Sequence, residues 1–254
     1  MSNKKPTASK NRNKERLALP TQAPVSLKIQ VNENLYLRDP QDSRLGRSIL
    51  HEGTILMDEL GIEDFTFKKL AQRMGSTEAS IYRYFANKHL LLVYFASFYW
   101  GWIHYRINTE TQQVDSAKEK ILRIIQILVN TSRAQTEVDF LNMRTLFSIM
   151  IAESTKVYHT KLVDEENLQG FFLAYKAICK TIADHFLAYE PNYPYPRALA
   201  STLLEMYKDQ LHFAHHLPRL TDIQLNGDDL QPVLDLLSFS VFAQLDSLAL
   251  RAGR

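Results

Sequence analysis

An all-α fold is predicted by three features of this 254-residue sequence. Apolar residues recur at spacings of three and four over most of its length, capping residues and glycines punctuate those runs, and no strand pattern recurs. With 45% apolar residues the chain is long enough to bury a large core, as one large domain or two smaller ones. The expected architecture is an N-terminal three-helix unit over residues 39–92, followed by a larger helical unit over residues 93–254, with a basic tail and short extended segment before them over residues 1–38.

The net charge of +2 conceals a concentrated tail: Lys4, Lys5, Lys10, Arg12, Lys14 and Arg16 stand against the single acid Glu15. Such a stretch, poor in apolar groups, has too little surface to bury and is expected to be a solvated flexible end, with an arm that follows DNA phosphates as the alternative. From Val25 to Leu37 apolar and polar residues alternate, which predicts a short extended segment or hairpin. Asp39, Pro40 and Asp42 then supply a cap, a first-turn proline and a first-turn acid for a helix that carries Leu45, Ile49, Gly53, Leu56 and Leu60 on one side and closes at Gly61.

Thr66 caps a second, short helix with Phe67, Leu70, Ala71 and Met74 turned inward, and Gly75 suits the left-handed turn after it. Thr77 caps a third with Ile81 and Phe85 inward and Tyr82 at the edge, so that Glu78, Ser80, Arg83 and Tyr84 are expected outside. Two short helices joined by so tight a turn are a helix-turn-helix pattern. Longer helices are expected at Lys88 to Asn108, Ser116 to Ala134, Val138 to Tyr158, Asp164 to Ala188, Arg197 to His215 and Asp228 to Arg251. The run from Leu90 to Ile107 approaches the length of a membrane span, but Ser97, Gly101, His104 and Arg106 interrupt it, so no membrane segment is expected.

The third helix has the surface that duplex recognition requires. Small Ala79 and Ser80 let its first turn approach base edges, while Arg83 and Tyr84 have the reach to touch flanking phosphates. Lys88, at the start of the next helix, adds one more cation for the backbone.

The order of residues sharpens this reading. Arg47, Ile49-Leu50, Gly53, Gly61, Thr66, Leu70-Ala71, Gly75, Thr77, Ile81-Tyr82, Phe85, Lys88 and Leu90-Leu91 resemble the DNA-binding domain of the tetracycline-repressor (TetR) family. Ser76 departs from the family's usual valine and His89 from its usual acid. The resemblance implies that Lys68, Glu78, Ala79, Ser80 and Tyr82 fall at base-reading positions, and Arg44, Arg47, Thr66, Arg83, Tyr84 and Lys88 at backbone-contact positions. It further implies a homodimer built on the last two long helices, double-stranded DNA with a palindromic operator, and a small-molecule effector that releases a repressor.

Beyond residue 97 the chain is rich in aromatics, and a ligand pocket for a lipophilic or aromatic compound is expected to involve Phe98, Trp100, Trp102, Tyr105, Phe147 and Tyr175. The last helix is apolar around much of its circumference, as a partner-covered helix is. Asp209, His212, His215 and His216 share a helical surface and leave an alternative open, a helical small-molecule or metal-binding protein whose helix-turn-helix is structural only. A helix-end histidine group favoured by the dipole is the preferred account, so no metal is expected. No nucleophile elbow, phosphate loop or paired-carboxylate motif is present, which argues against an enzyme and against a cofactor. The lone Cys179 excludes an internal disulfide and suits the cytoplasm.

Overall fold

A computed structural model describes residues 28–133, 137–138, 140–227 and 229–247. The basic run of residues 1–16, Val25 and Leu27, and the end of the expected last helix lie outside the described residues. Among those described, ten α-helices are joined by short 3-10 turns and one minimal hairpin.

Helix α1 spans Arg44–Asp64, α2 Phe67–Arg73, α3 Glu78–Tyr82 and α4 Lys88–Thr111. The start of α1 differs from expectation. Asp39 and Pro40 open a 3-10 turn at Pro40–Asp42 instead, and Ser43 caps α1 by accepting from the Gly46 N–H at 3.0 Å. A β-carbon on Gly46 would stand 2.3 Å from the Pro40 carbonyl oxygen, so only glycine lets the turn fold back on the helix. Gly61 breaks the helical path with φ of 71°, as expected, although helical bonding resumes as far as Asp64.

Helix α4 carries the near-continuous apolar run, and its residues from Leu91 to Trp100 are all buried. It is the central core helix, packed against α1, α5 (Ala117–Thr131), α6 (Met143–Tyr158) and α8 (Leu173–Tyr189). That position accounts for apolar residues on every side without any membrane. No described helix is long and apolar enough to cross one.

The alternation of residues 28–37 does not make a strand. Ile29, Val31 and Leu35 are buried because the segment lies as a strap across α4, with a 3-10 turn at Glu33–Leu35. Gly101 of α4 admits it, since a β-carbon there would come 2.8 Å from Ile29 Cγ2. The strap is tied by Asn32 and Asn34, whose side-chain amides both donate to the Gln169 carbonyl at 3.0 Å. Beside this contact Gly170, with φ of 79°, ends α7 (Val163–Leu168) and separates it from α8, so the single helix expected from Asp164 to Ala188 is two. Val138 likewise pairs with Leu141 in a two-residue hairpin, which delays α6 to Met143.

Helices α9 (Pro196–His216) and α10 (Gln231–Leu245) close the bundle. Val233, Leu237, Val241 and Leu245 of α10 are turned toward α9 and α5, while Phe239 on the opposite side is 73% exposed.

Burial also fixes the state of His104 on α4. Its Nε2 stands 2.8 Å from Thr181 Oγ1 and 3.1 Å from Asn108 Nδ2, an amide that only donates, so Nε2 accepts and the ring is neutral. Desolvation holds its pKa below the usual histidine value, and His185 is shifted the same way, first by burial and then by Lys120. A depressed folded-state pKa gives stability that is present above the unfolded value of about 6.5 and lost as pH falls through the folded one. Thermal unfolding should therefore move to lower temperature between pH 7 and pH 5, and by less in His104→Gln than in the wild type. A pH series of calorimetric melts reads the difference.

Candidate nucleic-acid interface

Helices α2 and α3 meet through a four-residue turn, Met74–Thr77, in which Gly75 takes φ of 60°. Thr66 caps α2 by accepting from the Lys69 N–H at 3.2 Å, and Thr77 caps α3 by accepting from the Ser80 N–H at 3.3 Å. Phe67, Leu70, Ala71, Ile81 and Phe85 pack beneath, where α4 completes the core. The α3 helix is only five residues long and owes its place to that packing and to the turn.

On the outer side Glu78, Ala79, Tyr82 and Arg83 are exposed, and so are Thr66 and Lys68 on the neighbouring helix. The Tyr82 ring is half exposed and set edge-on to Phe67 at 5.0 Å, which fixes its direction before any partner arrives. Arg44 and Arg47 are exposed at the start of α1, and Arg47 donates to the Gln41 carbonyl at 2.9 Å. Glu78, Arg83, Lys68, Arg44 and Arg47 make no ion pair among the described residues.

Three residues expected to face a duplex are engaged inside. Ser80 is buried: its hydroxyl lies 2.8 Å from Thr77 Oγ1 and 3.0 Å from Ser76 Oγ and donates to the Thr77 carbonyl at 2.9 Å. Tyr84 is also buried, its hydroxyl 2.7 Å from Ser43 Oγ, because it lies just past the end of α3, where the chain sits against the cap of α1. Lys88 is the third. Its ammonium donates to the carbonyls of Ile62, Glu63 and Phe65 at 2.7, 2.8 and 3.2 Å, so it caps the end of α1 instead of standing free for a phosphate.

Residues 49–94, which contain α2, α3 and the turn between them, match the profile of bacterial regulatory proteins, tetR family. The chain carries a tetR-family domain. No curated protein matches the sequence significantly. Among solved structures the fold is similar to the crystal structure of AibR in complex with isovaleryl coenzyme A and operator DNA, with a TM-score of 0.55 and 14% identity over 78% of this chain and 98% of that one. The structure of apo AibR is also similar, with a TM-score of 0.49 and 12% identity over 76% of this chain and 96% of that one.

Both departures of the tetR-family domain from its usual pattern have partners here. Ser76 joins the hydroxyl network of Ser80 and Thr77, replacing apolar packing with hydrogen bonds. His89 places Nε2 2.6 Å from Oε1 of the buried Glu166 on α7, outside the domain. A second link of the same kind had no signal in the sequence: Glu153 on α6 accepts from the Ile62 N–H at 2.9 Å, just after Gly61.

The aromatic residues expected to line a ligand pocket do not form one. Phe98, Trp100 and Trp102 are core, and Trp100 with Tyr158, Phe172 and Tyr175 leaves no space for a water molecule. Trp100 donates to the Tyr158 hydroxyl and Tyr175 to Glu205, each at 2.7 Å, so even their polar edges are satisfied. Tyr105 is 44% exposed on the outside of α4. Phe147 lines a cleft of about 430 Å³ between α5, α6 and the end of α9, where His212, His215 and His216 also stand. Among the described residues no three His, Cys, Asp or Glu side chains converge as a metal site requires.

These positions separate two lysine and arginine substitutions that the sequence alone equates. Lys88→Met should lower the melting temperature by roughly 5 °C, as loss of about 2 kcal/mol of charge-assisted bonding does. The salt slope of its DNA binding should not change. Arg83→Ala should leave the melt unchanged and reduce the slope of log K against log salt by about 1. Paired melts and anisotropy titrations distinguish the two.

Proposed function

We propose that the protein is a homodimeric, sequence-specific DNA-binding repressor whose α3 helices enter successive major grooves and which leaves a palindromic operator when a small molecule binds the larger helical unit. The observation that carries this is the capped helix-turn-helix inside a tetR-family domain, with unpaired Glu78 and Arg83 and the braced Tyr82 on its open side. In this reading Ala79 lets the helix approach the bases, Glu78, Tyr82 and Lys68 read them, and Thr66, Arg83, Arg44 and Arg47 hold phosphates. A carboxylate such as Glu78 accepts from a cytosine amino group and repels phosphate, so it contributes specificity more than affinity.

Dimerisation is supported by the outer side of α9 and α10. Phe239 is 73% exposed, and Leu220 at 60% extends the same side of the bundle end. Uncovered aromatic surface of that kind is stabilised by a second copy, and two-fold pairing sets two reading heads about one helical turn of DNA apart, near 34 Å. AibR, of similar fold, was crystallised with operator DNA and isovaleryl coenzyme A together. By analogy the cleft beside Phe147 is the place proposed for an effector, since it is the described cavity that reaches between α5, α6 and α9.

Binding to duplexes selected from genomic fragments should weaken steeply with salt, with a slope of about −0.9 for each phosphate neutralised. No duplex binding at low salt would leave a helical bundle whose helix-turn-helix is only structural. Phe239→Asp should turn a dimer into a monomer in sedimentation without lowering the melting temperature of the fold. A dimer that persists would place the interface elsewhere.

A further inference from the structure

The cleft between α5, α6 and α9 has a lopsided charge. Phe147, Ile151, Leu211 and Leu230 supply an apolar wall, and its ionisable residues are Arg133, Arg144 and the three histidines of α9; no carboxylate lines it among the described residues. From this we infer that the cleft is a site for an amphiphile with an anionic head, phosphate or carboxylate, gripped by Arg133 and Arg144 with its apolar body against Phe147 and Ile151.

Helix dipoles explain part of the cationic lining but not all of it. Arg133 follows the end of α5, and His215 and His216 lie in the last turn of α9, where cations are favoured. Arg144 is the second residue of α6, where the dipole opposes a cation, and it makes no ion pair with a described residue. It is solvent-exposed, and an anion in the cleft would offset the dipole there. The first amides of α6 are not what such an anion would meet, because Asn142 Oδ1 already accepts from the N–H groups of Arg144 and Thr145 at 3.0 and 3.1 Å. Recognition falls to the side chains, for which a guanidinium fork fits both oxyanions.

The histidines contribute in the same sense. The rings of His212 and His216 have centroids 4.9 Å apart, and His215 Nδ1 stands 2.8 Å from the Leu211 carbonyl, to which it donates. The imidazoles of His212 and His216 each offer at least one ring N–H to donate to an oxyanion. A volume of about 430 Å³ has room for a head and a chain of several carbons. The apolar wall suits the lipophilic or aromatic compound expected from composition, and the two arginines add an anionic head to it.

The inference shares its cleft with the effector reading and rests on that reading only for the step from binding to DNA release. Calorimetric titration of the full-length protein with octyl phosphate, octanoate, 1-octanol and octylammonium tests it. At least one of the two anions should bind roughly tenfold or more tightly than octanol or octylammonium, about the worth of one charge-assisted contact. Whichever anion is stronger names the head. Arg144→Gln and Arg133→Gln should each remove most of that preference and leave octanol binding unchanged, with circular dichroism melts showing both variants folded. Octanol binding as well as either anion, or anion binding indifferent to both substitutions, would overturn the inference. Operator release by the same probes is read separately. Anion binding without release supports the site and removes the effector reading, whereas release by octanol with no anion preference does the reverse.

Discussion

The ammonium group of Lys88 donates to three carbonyls, those of Ile62, Glu63 and Phe65, at the corner where α1 ends and the chain turns toward α2. Gly61 makes the corner possible, and Glu153 of α6 accepts the Ile62 N–H on its other side. Lys156 completes the cluster, 3.0 Å from Glu63 and 3.1 Å from Glu153. The end of α1, the start of α4 and the middle of α6 are thereby fixed to one another by charge-assisted bonds, which are stronger than neutral ones. The place of the α2–α3 pair follows from this corner, since α3 is too short to hold its own position.

Two further ties cross between the same halves. His89 reaches Glu166 on α7, and the strap of residues 28–37 joins the Tyr84 carbonyl, through the Leu37 N–H at 2.8 Å, to the Gln169 carbonyl, through Asn32 and Asn34. The three-helix unit and the larger bundle thus share α4 and are tied at several points besides it. A shift of α6 or α7 would be carried to α3 as a rigid displacement, because packed cores pass between discrete arrangements more readily than they deform. The cleft beside Phe147 involves the first turns of α6, and Glu153 lies farther along the same helix. In the proposed function, that shared helix is the physical route from a ligand in the cleft to α3.

Much of the three-helix unit was legible in the residues themselves. Thr66, Gly75 and Thr77 are caps and a turn whose geometry follows from residue type, and Ile81 and Phe85 show their inward face by spacing. Tyr84 was not legible, because a helical wheel assumes that α3 continues and it stops at Tyr82, and Ser80 was not, because its hydroxyl bonds to Ser76 and Thr77 are invisible to a wheel. Nor was Lys88, since a cation after a helix-turn-helix looks the same whether it meets a phosphate or three carbonyls. The aromatics of α4 misdirected the expected pocket for a related reason: composition shows an abundance of rings, and only packing decides whether they enclose space or fill it. The α7–α8 break was missed at Gly170, whose positive φ ends α7, and the strap contact beside it, 135 residues away in sequence at Asn34, is one that no local pattern encodes.

The corner can be examined at a single atom. If Glu153 and Lys88 hold it as described, the Ile62 amide should exchange with solvent deuterium as slowly as the core amides of α4, and Glu153→Gln should speed that exchange well beyond any change in α4 itself. An Ile62 amide that exchanges fast in the wild-type protein, or at the same rate in both, would contradict the account that this corner joins the two halves.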